Sequence, residues 1–450
     1  MQNYKMLSIK FVPRQPEDTL TVSQDVADYF KISEGQSFKL NVGRLGRMLK
    51  ITIDKSPKSH NLIYLNPQTA RALYLQNGRK YGYHGNKEQI FIGPVVGIML
   101  EESGQRDKPF GGQSFFIKQL LISGRTFGEL CFAFSPYRIN WSRKTVQGYT
   151  YGENGWTRAT FPIPDVVYPR GKGYSSIKME IRRRLEAMGV AFFNPALIGK
   201  WQTHRILTQN PELLRYIPET RLIKDFGQVE RMIKKYQAVY LKPVTGSQGK
   251  NIVRVRKNNS DSSYQYQYQM NNQSFRGNAQ NLAQLRSCLR PVMGNKTYII
   301  QKQINLLQSE GNLVDVRILT QKDDTGSWGV TGMACRVGRK GSITSNISGG
   351  GSGRHLETVL KSKFSNQEQR KQIEEELQYL ALEAAKTLEA SIGPSGEMGI
   401  DIGVDKNGRI WFIEANLRPA RQVFSLIGEK QTRKRSVENP MLYSRYLAGF

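Results

Sequence analysis

The stretch from Met398 to Pro419 constrains this chain most. It runs Met398-Gly399-Ile400-Asp401-Ile402-Gly403-Val404-Asp405, then Lys406-Asn407-Gly408-Arg409, then Ile410-Trp411-Phe412-Ile413-Glu414-Ala415-Asn416-Leu417-Arg418-Pro419. Two apolar runs around an Asn-Gly pair predict a β-hairpin, because both turn residues tolerate positive φ. Side chains alternate along a strand, so Glu414 and Asn416 share a face, with Arg418 following, and Asp401 on the preceding strand can face them. Two carboxylates and an amide oxygen then converge on one sheet surface. Hard oxygen ligands of this kind suit Mg²⁺, which keeps waters and takes further ligands from nucleotide phosphates. Polar groups embedded in such apolar strands need partners of this sort.

Charge narrows the ligand class. Sixty-six Lys and Arg stand against 37 Asp and Glu, a formal net charge of +29, in a chain of 450 residues. Such a field attracts nucleotides, nucleic acid, acidic polymers or an acidic surface. The length suggests about three domains. The three cysteines, Cys131, Cys288 and Cys335, have no paired spacing. That argues against a disulfide framework or a zinc site and fits a reducing compartment. Residues 1–5 lack an apolar signal core, and no apolar run approaches the roughly 20 residues that span a bilayer. The expectation is a cytoplasmic protein with no membrane insertion.

Residues 1–92 read as a small β-barrel with an internal repeat. Val22-Ser23-Gln24-Asp25-Val26-Ala27, followed by Gly35, recurs as Leu65-Asn66-Pro67-Gln68-Thr69-Ala70, followed by Gly78. Ala27 and Ala70, like Gly35 and Gly78, lie 43 positions apart. Each copy predicts strand, capped helical turn, glycine turn and strand, with Ser23 and Asn66 as N-caps. Two such halves resemble a double-psi barrel. Its lysines and arginines form a solvated face.

Residues 93–194 begin with a buried strand at Gly93–Leu100, a helix from Ser114 to Ile122 and a strand at Glu129–Phe134, a βαβ unit. Phe110-Gly111-Gly112 lacks the rest of a dinucleotide fingerprint, which excludes a Rossmann cofactor site. Further strands are expected at 156–161 and 166–168, and a basic helix opening at Ile181.

The remainder carries the chemistry. Lys200 opens a helix in which Thr203 and His204 read as surface residues. The strand Val239–Lys242 delivers a lysine into the loop Thr245-Gly246-Ser247-Gln248-Gly249-Lys250. Glycines let backbone N–H groups turn toward phosphate oxygens, and Lys242 adds a point charge. The loop is not a P-loop, because no Gly-Lys-Ser/Thr leads into a helix. Tyr264–Gln269 alternates as an exposed strand. Thr297–Ile304 and Val314–Leu319 are strands, the second with Asp315 and Arg317 on one face, and Arg336 lies on the strand 331–337. Ser345–Gly353 reads as a loop. Ile373, Leu377, Leu380, Ala384 and Leu388 mark an amphipathic helix ending at Gly393-Pro394.

In this order the pieces resemble the ATP-grasp ligases over roughly residues 195–445. The order is Lys200, Lys242 with its glycine loop, the hinge strand Gln301–Ile304, Asp315 and Arg317, Arg336, Asn346 with Gly349 and Gly350, and Asp401 with Glu414 and Asn416. Among them the chain resembles the endospore coat-associated YheC/YheD-like proteins of spore-forming bacilli, which Gly93–Ile98 and the total length also resemble. The resemblance implies an α/β (α+β) chain: a double-psi-like barrel, a Rossmann-like pre-ATP-grasp segment, and a two-lobed ATP-grasp domain over 195–450, with its lobes near 195–300 and 301–450. It implies ATP and Mg²⁺ as cofactors, with Mn²⁺ as the alternative ion. Lys200, Lys242, Gly246, Ser247 and Gly249 are then expected at the phosphates, and Gln301, Lys302 and Ile304 at the adenine. Arg317, Arg336, Asn346 and Arg418 are expected in the catalytic set, and Asp401, Glu414 and Asn416 at the metal.

The implied reaction is phosphorylation of a carboxylate, then attack on the acyl phosphate by an amine or thiol. Such chemistry needs positioning and charge neutralisation in a closed, dry site. The resemblance leaves carboxylate and nucleophile open, with an anionic polymer, a peptide or spore-coat proteins as candidate partners. Two other readings compete: an ATP-binding coat scaffold with little turnover, and a nucleic-acid binder whose shape depends on nucleotide. No run of aromatics interleaved with basic residues supports the last, so no specific nucleic acid is expected.

Overall fold

A computed structural model describes all residues except 1–4, 172, 174, 196, 197, 247, 248, 259, 262, 271, 272, 348 and 349. It divides into two compact units. The first holds residues up to Asn194 together with Lys322–Ser327 and Val437–Phe450; the second holds Pro195–Gln321 and Trp328–Ser436. The sequence expectation had kept the last fourteen residues with the C-terminal domain; they cluster with the first unit.

The barrel closes with seven strands between Met6 and Gly93. Its repeat is visible in the elements. Thr19–Ser23, Gln24–Phe30 and Ser37–Val42 recur as Leu62–Leu65, Pro67–Ala72 and Lys80–Gly85. The two N-caps differ. Asn66 accepts from the Gln68 N–H at 2.8 Å. Ser23 caps nothing; its hydroxyl accepts from the Leu62 N–H at 3.0 Å instead, stitching one half of the barrel to the other.

The rest of the first unit is built on Val95–Met99, Ser114–Thr126 and Leu130–Phe134. The two strands pair in parallel, as a βαβ unit requires, and Val166–Pro169 and Ala191–Phe192 extend the parallel set. The basic helix begins at Ser176, five residues before Ile181, because Ser175 caps it by accepting from the Lys178 N–H.

The described residues of the second unit form two sheets. One has six strands in the order Thr220–Leu222, Tyr298–Lys302, Ala238–Pro243, Val253–Lys257, Tyr264–Met270 and Gln273–Ala279. Tyr264–Met270 is only half exposed: Tyr264 and Tyr268 are buried with Leu285 and Leu289 of the helix Leu282–Met293. The other sheet runs Ser352–Arg354, Trp328–Val337, Asn312–Lys322, Glu397–Val404 and Ile410–Asn416. Ser352–Arg354, expected as loop, is a short strand paired with Cys335–Val337. The helix Gln367–Ile392 packs its stripe of Ile373, Leu377, Leu380, Ala384 and Leu388 into that sheet's core. Asn366 caps its start and Gly393, at φ 98°, ends it. Thr203, expected on the surface, is buried and donates to the Gly199 carbonyl.

Candidate active site

The hairpin Glu397–Val404 and Ile410–Asn416 forms as the sequence implies, with two differences. Only Gly408 has positive φ, at 84°; Asn407 does not, because Asp405 Oδ1 accepts from the Asn407 and Arg409 N–H groups and shapes the turn. The register also shifts at one point. Asp401 pairs with Glu414, but Ile402 pairs with Phe412, leaving Ile413 extra. This β-bulge breaks strict alternation and re-aims side chains. Phe412, Ile413 and Glu414, three successive residues, all line one pocket. Gly403 makes room, since a Cβ there would lie 2.3 Å from Leu306 and 3.2 Å from Ile413.

The pocket lies within the second unit. Lys200, Lys242, Gln301, Lys302 and Ile304 reach it from the six-stranded sheet and its approach, and Asp315, Arg336, Asn346, Asp401 and Glu414 from the other side. Lys200 Nζ sits 3.3 Å from Glu414 Oε1 and donates to the Gly246 carbonyl at 2.8 Å, so it ties the glycine loop to the hairpin. Lys242 Nζ donates to Gln301 Oε1 at 2.5 Å, and Gln301 Nε2 donates to Thr220. The protein packed around the Lys242 ammonium pushes its pKa down to about 8, against the pull of Glu414 and with the help of Lys200. Gly249, at φ 71°, lies against Asn346: a Cβ would come within 2.6 Å of its amide nitrogen. Lys302 and Gln303 donate their N–H groups to the carbonyls of Glu219 and Ala238. Among the described residues no backbone hydrogen bond of this kind involves Ile304, which was expected beside the adenine.

Behind the lysines lies a buried ionic network. Arg336 donates to both oxygens of Asp315, at 2.7 and 2.5 Å, and its guanidinium sits 2.8 Å from Asp401. Arg317 forks onto Asp401 with two donors. Ser345 donates to Asp315 at 2.5 Å, and the Asn416 amide to Asp401 at 3.2 Å. Burial pushes the Asp401 pKa up, but Arg317 and Arg336 outweigh it and hold the carboxyl below its usual range. Burial lowers the Arg336 pKa, but Asp315 and Asp401 raise it further, so its charge is permanent.

Two carboxylates and an amide do meet here. Among the described residues no group of three or more His, Cys, Asp or Glu side chains could hold a metal ion. Asp401, Glu414 and Asn416 are nonetheless hard donors clustered across one strand pair, the chemistry that suits Mg²⁺. Asp401 Oδ2 already takes three donors, while Oδ1 takes only Arg317 Nε and keeps a lone pair.

Of the expected residues, Gly246, Gly249, Arg317, Asn416 and Arg418 are not among those lining the pocket, and Ser247 and Gly349 lie outside the described residues. Sequence reasoning missed Tyr240, Phe412 and Ser345. Tyr240 and Phe412 were within reach, each standing two positions before a residue already singled out, Lys242 and Glu414. Ser345 sits in a loop with no periodicity to point at it.

A lysine-bearing strand and a glycine loop on one sheet, facing paired acids and arginines on a second, define an ATP-grasp domain. Residues 189–447 match the YheC/D like ATP-grasp family, and the chain belongs to that family. The chain is 30% identical over 379 residues to the endospore coat-associated protein YheD of Bacillus subtilis (strain 168), covering 80% of each. It is 25% identical over 316 residues to the endospore coat-associated protein YheC of the same organism, covering 68% of this chain and 85% of the relative. Among solved structures, the ATP-grasp ligase PsnB complexed with minimal precursor, Mg and ADP aligns at TM-score 0.43 and 15% identity, over 77% of this chain and 98% of that one. The D-cycloserine synthetase DcsG aligns at TM-score 0.45 and 12% identity, over 77% and 99%.

Proposed function

We propose that the protein is an ATP- and Mg²⁺-dependent ligase that activates a carboxylate and joins it to an amine or thiol. The observation that carries this reading is the meeting of Lys200 and Lys242 with Asp401 and Glu414 in one pocket of an ATP-grasp domain. In this reading a substrate carboxylate oxygen attacks the γ-phosphorus, and the bond to the ADP oxygen breaks. The nucleophile then attacks the acyl carbon, and phosphate leaves. Lys200 and Lys242 bind phosphate oxygens, with the Gly246–Gly249 loop over them. Adenine lies along Gln301 to Ile304. Arg336 offsets charge growing on the transferred group, and Arg317 holds Asp401 in place. Asn346, beside Gly249, and Arg418 complete the catalytic set. Asp401, Glu414 and the Asn416 carbonyl oxygen, once the amide turns over, would hold the ion. Bound there, Mg²⁺ or Mn²⁺ would supply charge neutralisation between phosphate oxygens.

One observation favours a second reading. The two guanidiniums on Asp401 already neutralise it, as suits a nucleotide-binding coat scaffold with little turnover. The curated relatives are named as endospore coat-associated, so either reading carries an association with the coat. The helices of the described residues include none long and apolar enough to cross a membrane. Release of ADP and phosphate, screened across amino acids, short peptides and acidic polymers, separates the two. Release stimulated by one class supports the ligase; tight ATP binding with no stimulated release by any class supports the scaffold.

A further inference from the structure

The sheet face that carries Lys242 continues beyond the nucleotide pocket. Cross-strand register places Thr220, Gln301, Tyr240, Arg254, Gln267 and Arg276 in one row over all six strands. A second row sets Ala238, Arg256, Gln265 and Asn278 side by side. Side chains alternate, so Val253, Val255, Tyr264 and Tyr268 go to the opposite face, into the core. What remains is an open depression walled by Arg254, Arg256 and Arg276 with Gln265, Gln267 and Asn278. Among the described residues no carboxylate pairs with these three arginines. Arg254 donates to Gln303 at 2.7 Å, and Gln267 to the Gly341 carbonyl at 2.8 Å, which orients the array without neutralising it.

We propose that this array binds an extended acidic peptide segment and leads it toward the pocket, where, on the ligase reading above, one of its carboxylates is activated. Guanidiniums take carboxylates bidentately, and the Gln and Asn amides can both donate to and accept from a peptide main chain. The spacing agrees. Arg254 and Arg256 are two residues apart on one strand, about 7 Å, the repeat of same-side residues in an extended peptide. Arg276 lies two strands over, about 10 Å, within reach of a neighbouring acid. The net charge of +29 draws an acidic chain to this surface. Nucleic acid fits less well: Tyr264 and Tyr268 turn into the core, Tyr240 in the same row donates its hydroxyl to the Ile343 carbonyl, and among the described residues lining the depression Tyr266 alone is aromatic, so successive bases find no run of rings.

The test is fluorescence anisotropy with a labelled fifteen-residue poly-L-glutamate peptide and, separately, a single-stranded oligonucleotide of about equal charge, with no ATP present. Arg256 and Arg276 are exposed, so R256A/R276A should keep the parent's melting temperature. The expected result is peptide binding at least tenfold weaker in that variant, with oligonucleotide binding changed less than twofold. In the unaltered protein, amide exchange of Tyr264–Met270 should slow when peptide binds. Equal peptide affinity in parent and variant, no slowing of exchange, or oligonucleotide binding that is tighter and lost with the same two substitutions would each overturn the proposal. Because binding is read without turnover, a protein that binds the peptide here but never hydrolyses ATP would overturn the ligase reading and leave this one standing.

Discussion

Lys242 gives the site its pH dependence. Its folded pKa of about 8 lies below the ordinary lysine value, so the unfolded chain binds more protons between about 8 and 10.5. The sign follows: Lys242 costs stability below about pH 8, and that cost fades as pH rises toward 10.5. On the proposed reading nucleotide binding runs the other way, because a triphosphate held by Lys242 would need the ammonium form. ATP affinity should therefore fall above pH 8, and binding there should take up protons, read by calorimetry in two buffers of different ionisation enthalpy. Lys242→Ala should lose both the affinity and the pH dependence while melting as a folded protein. Arg336 is a different kind of residue. Its removal leaves buried Asp315 with Ser345 alone and buried Asp401 with Arg317 and the Asn416 amide. Arg336→Ala should cost about 3–5 kcal/mol in denaturant unfolding. The lysines and acids were legible in the sequence, because each sits at a strand end or in a short pattern. The pairings of Arg336 with Asp315 and of Arg317 with Asp401 were not, since they join three strands that only the folded sheet brings together.

The bulge at Ile413 shows what periodicity leaves out. Alternation predicted Glu414 and Asn416 on one face, yet Phe412, Ile413 and Glu414 line the pocket together because one extra residue is inserted there. A register slip of one residue turns a strand's side chains to the other face. Deleting Ile413 should remove the bulge, turn Glu414 or its neighbours away, and abolish the Mg²⁺-dependent part of ATP stabilisation in thermal unfolding. Ile413→Val should leave that part intact, and if the deletion did so too, the bulge would have no part in the site. Elsewhere the long amphipathic helix and the barrel repeat could be read directly, the one from the apolar stripe Ile373 to Leu388 and the other from an offset of 43 positions that strands and helices keep. Ser352–Arg354 could not, because Ser and Gly carry no strand pattern and the edge is set by its partner strand.

Across the chain, charge and architecture answer different questions. The net charge of +29 predicts weak, sequence-independent attraction to nucleic acid, with log affinity falling by about 0.9 per neutralised phosphate for each log unit of salt. Filter binding to duplex DNA should show such binding lost near physiological salt; tight binding that persists at high salt would favour a nucleic-acid function instead. The second unit holds the ATP-grasp domain to which the proposed nucleotide chemistry is assigned, and the most direct test of that proposal needs no substrate. Thermal unfolding is followed with ATP alone, Mg²⁺ alone and both, for the parent and for Glu414→Gln. Ligand linkage is worth about 2.7 kcal/mol at a hundredfold excess over the dissociation constant. The hairpin account predicts that ATP and Mg²⁺ together raise the parent's melting temperature by more than the sum of each alone, and that Glu414→Gln, folded equally well without ligand, loses that excess. A parent protein in which Mg²⁺ adds nothing to the ATP-induced shift would contradict it.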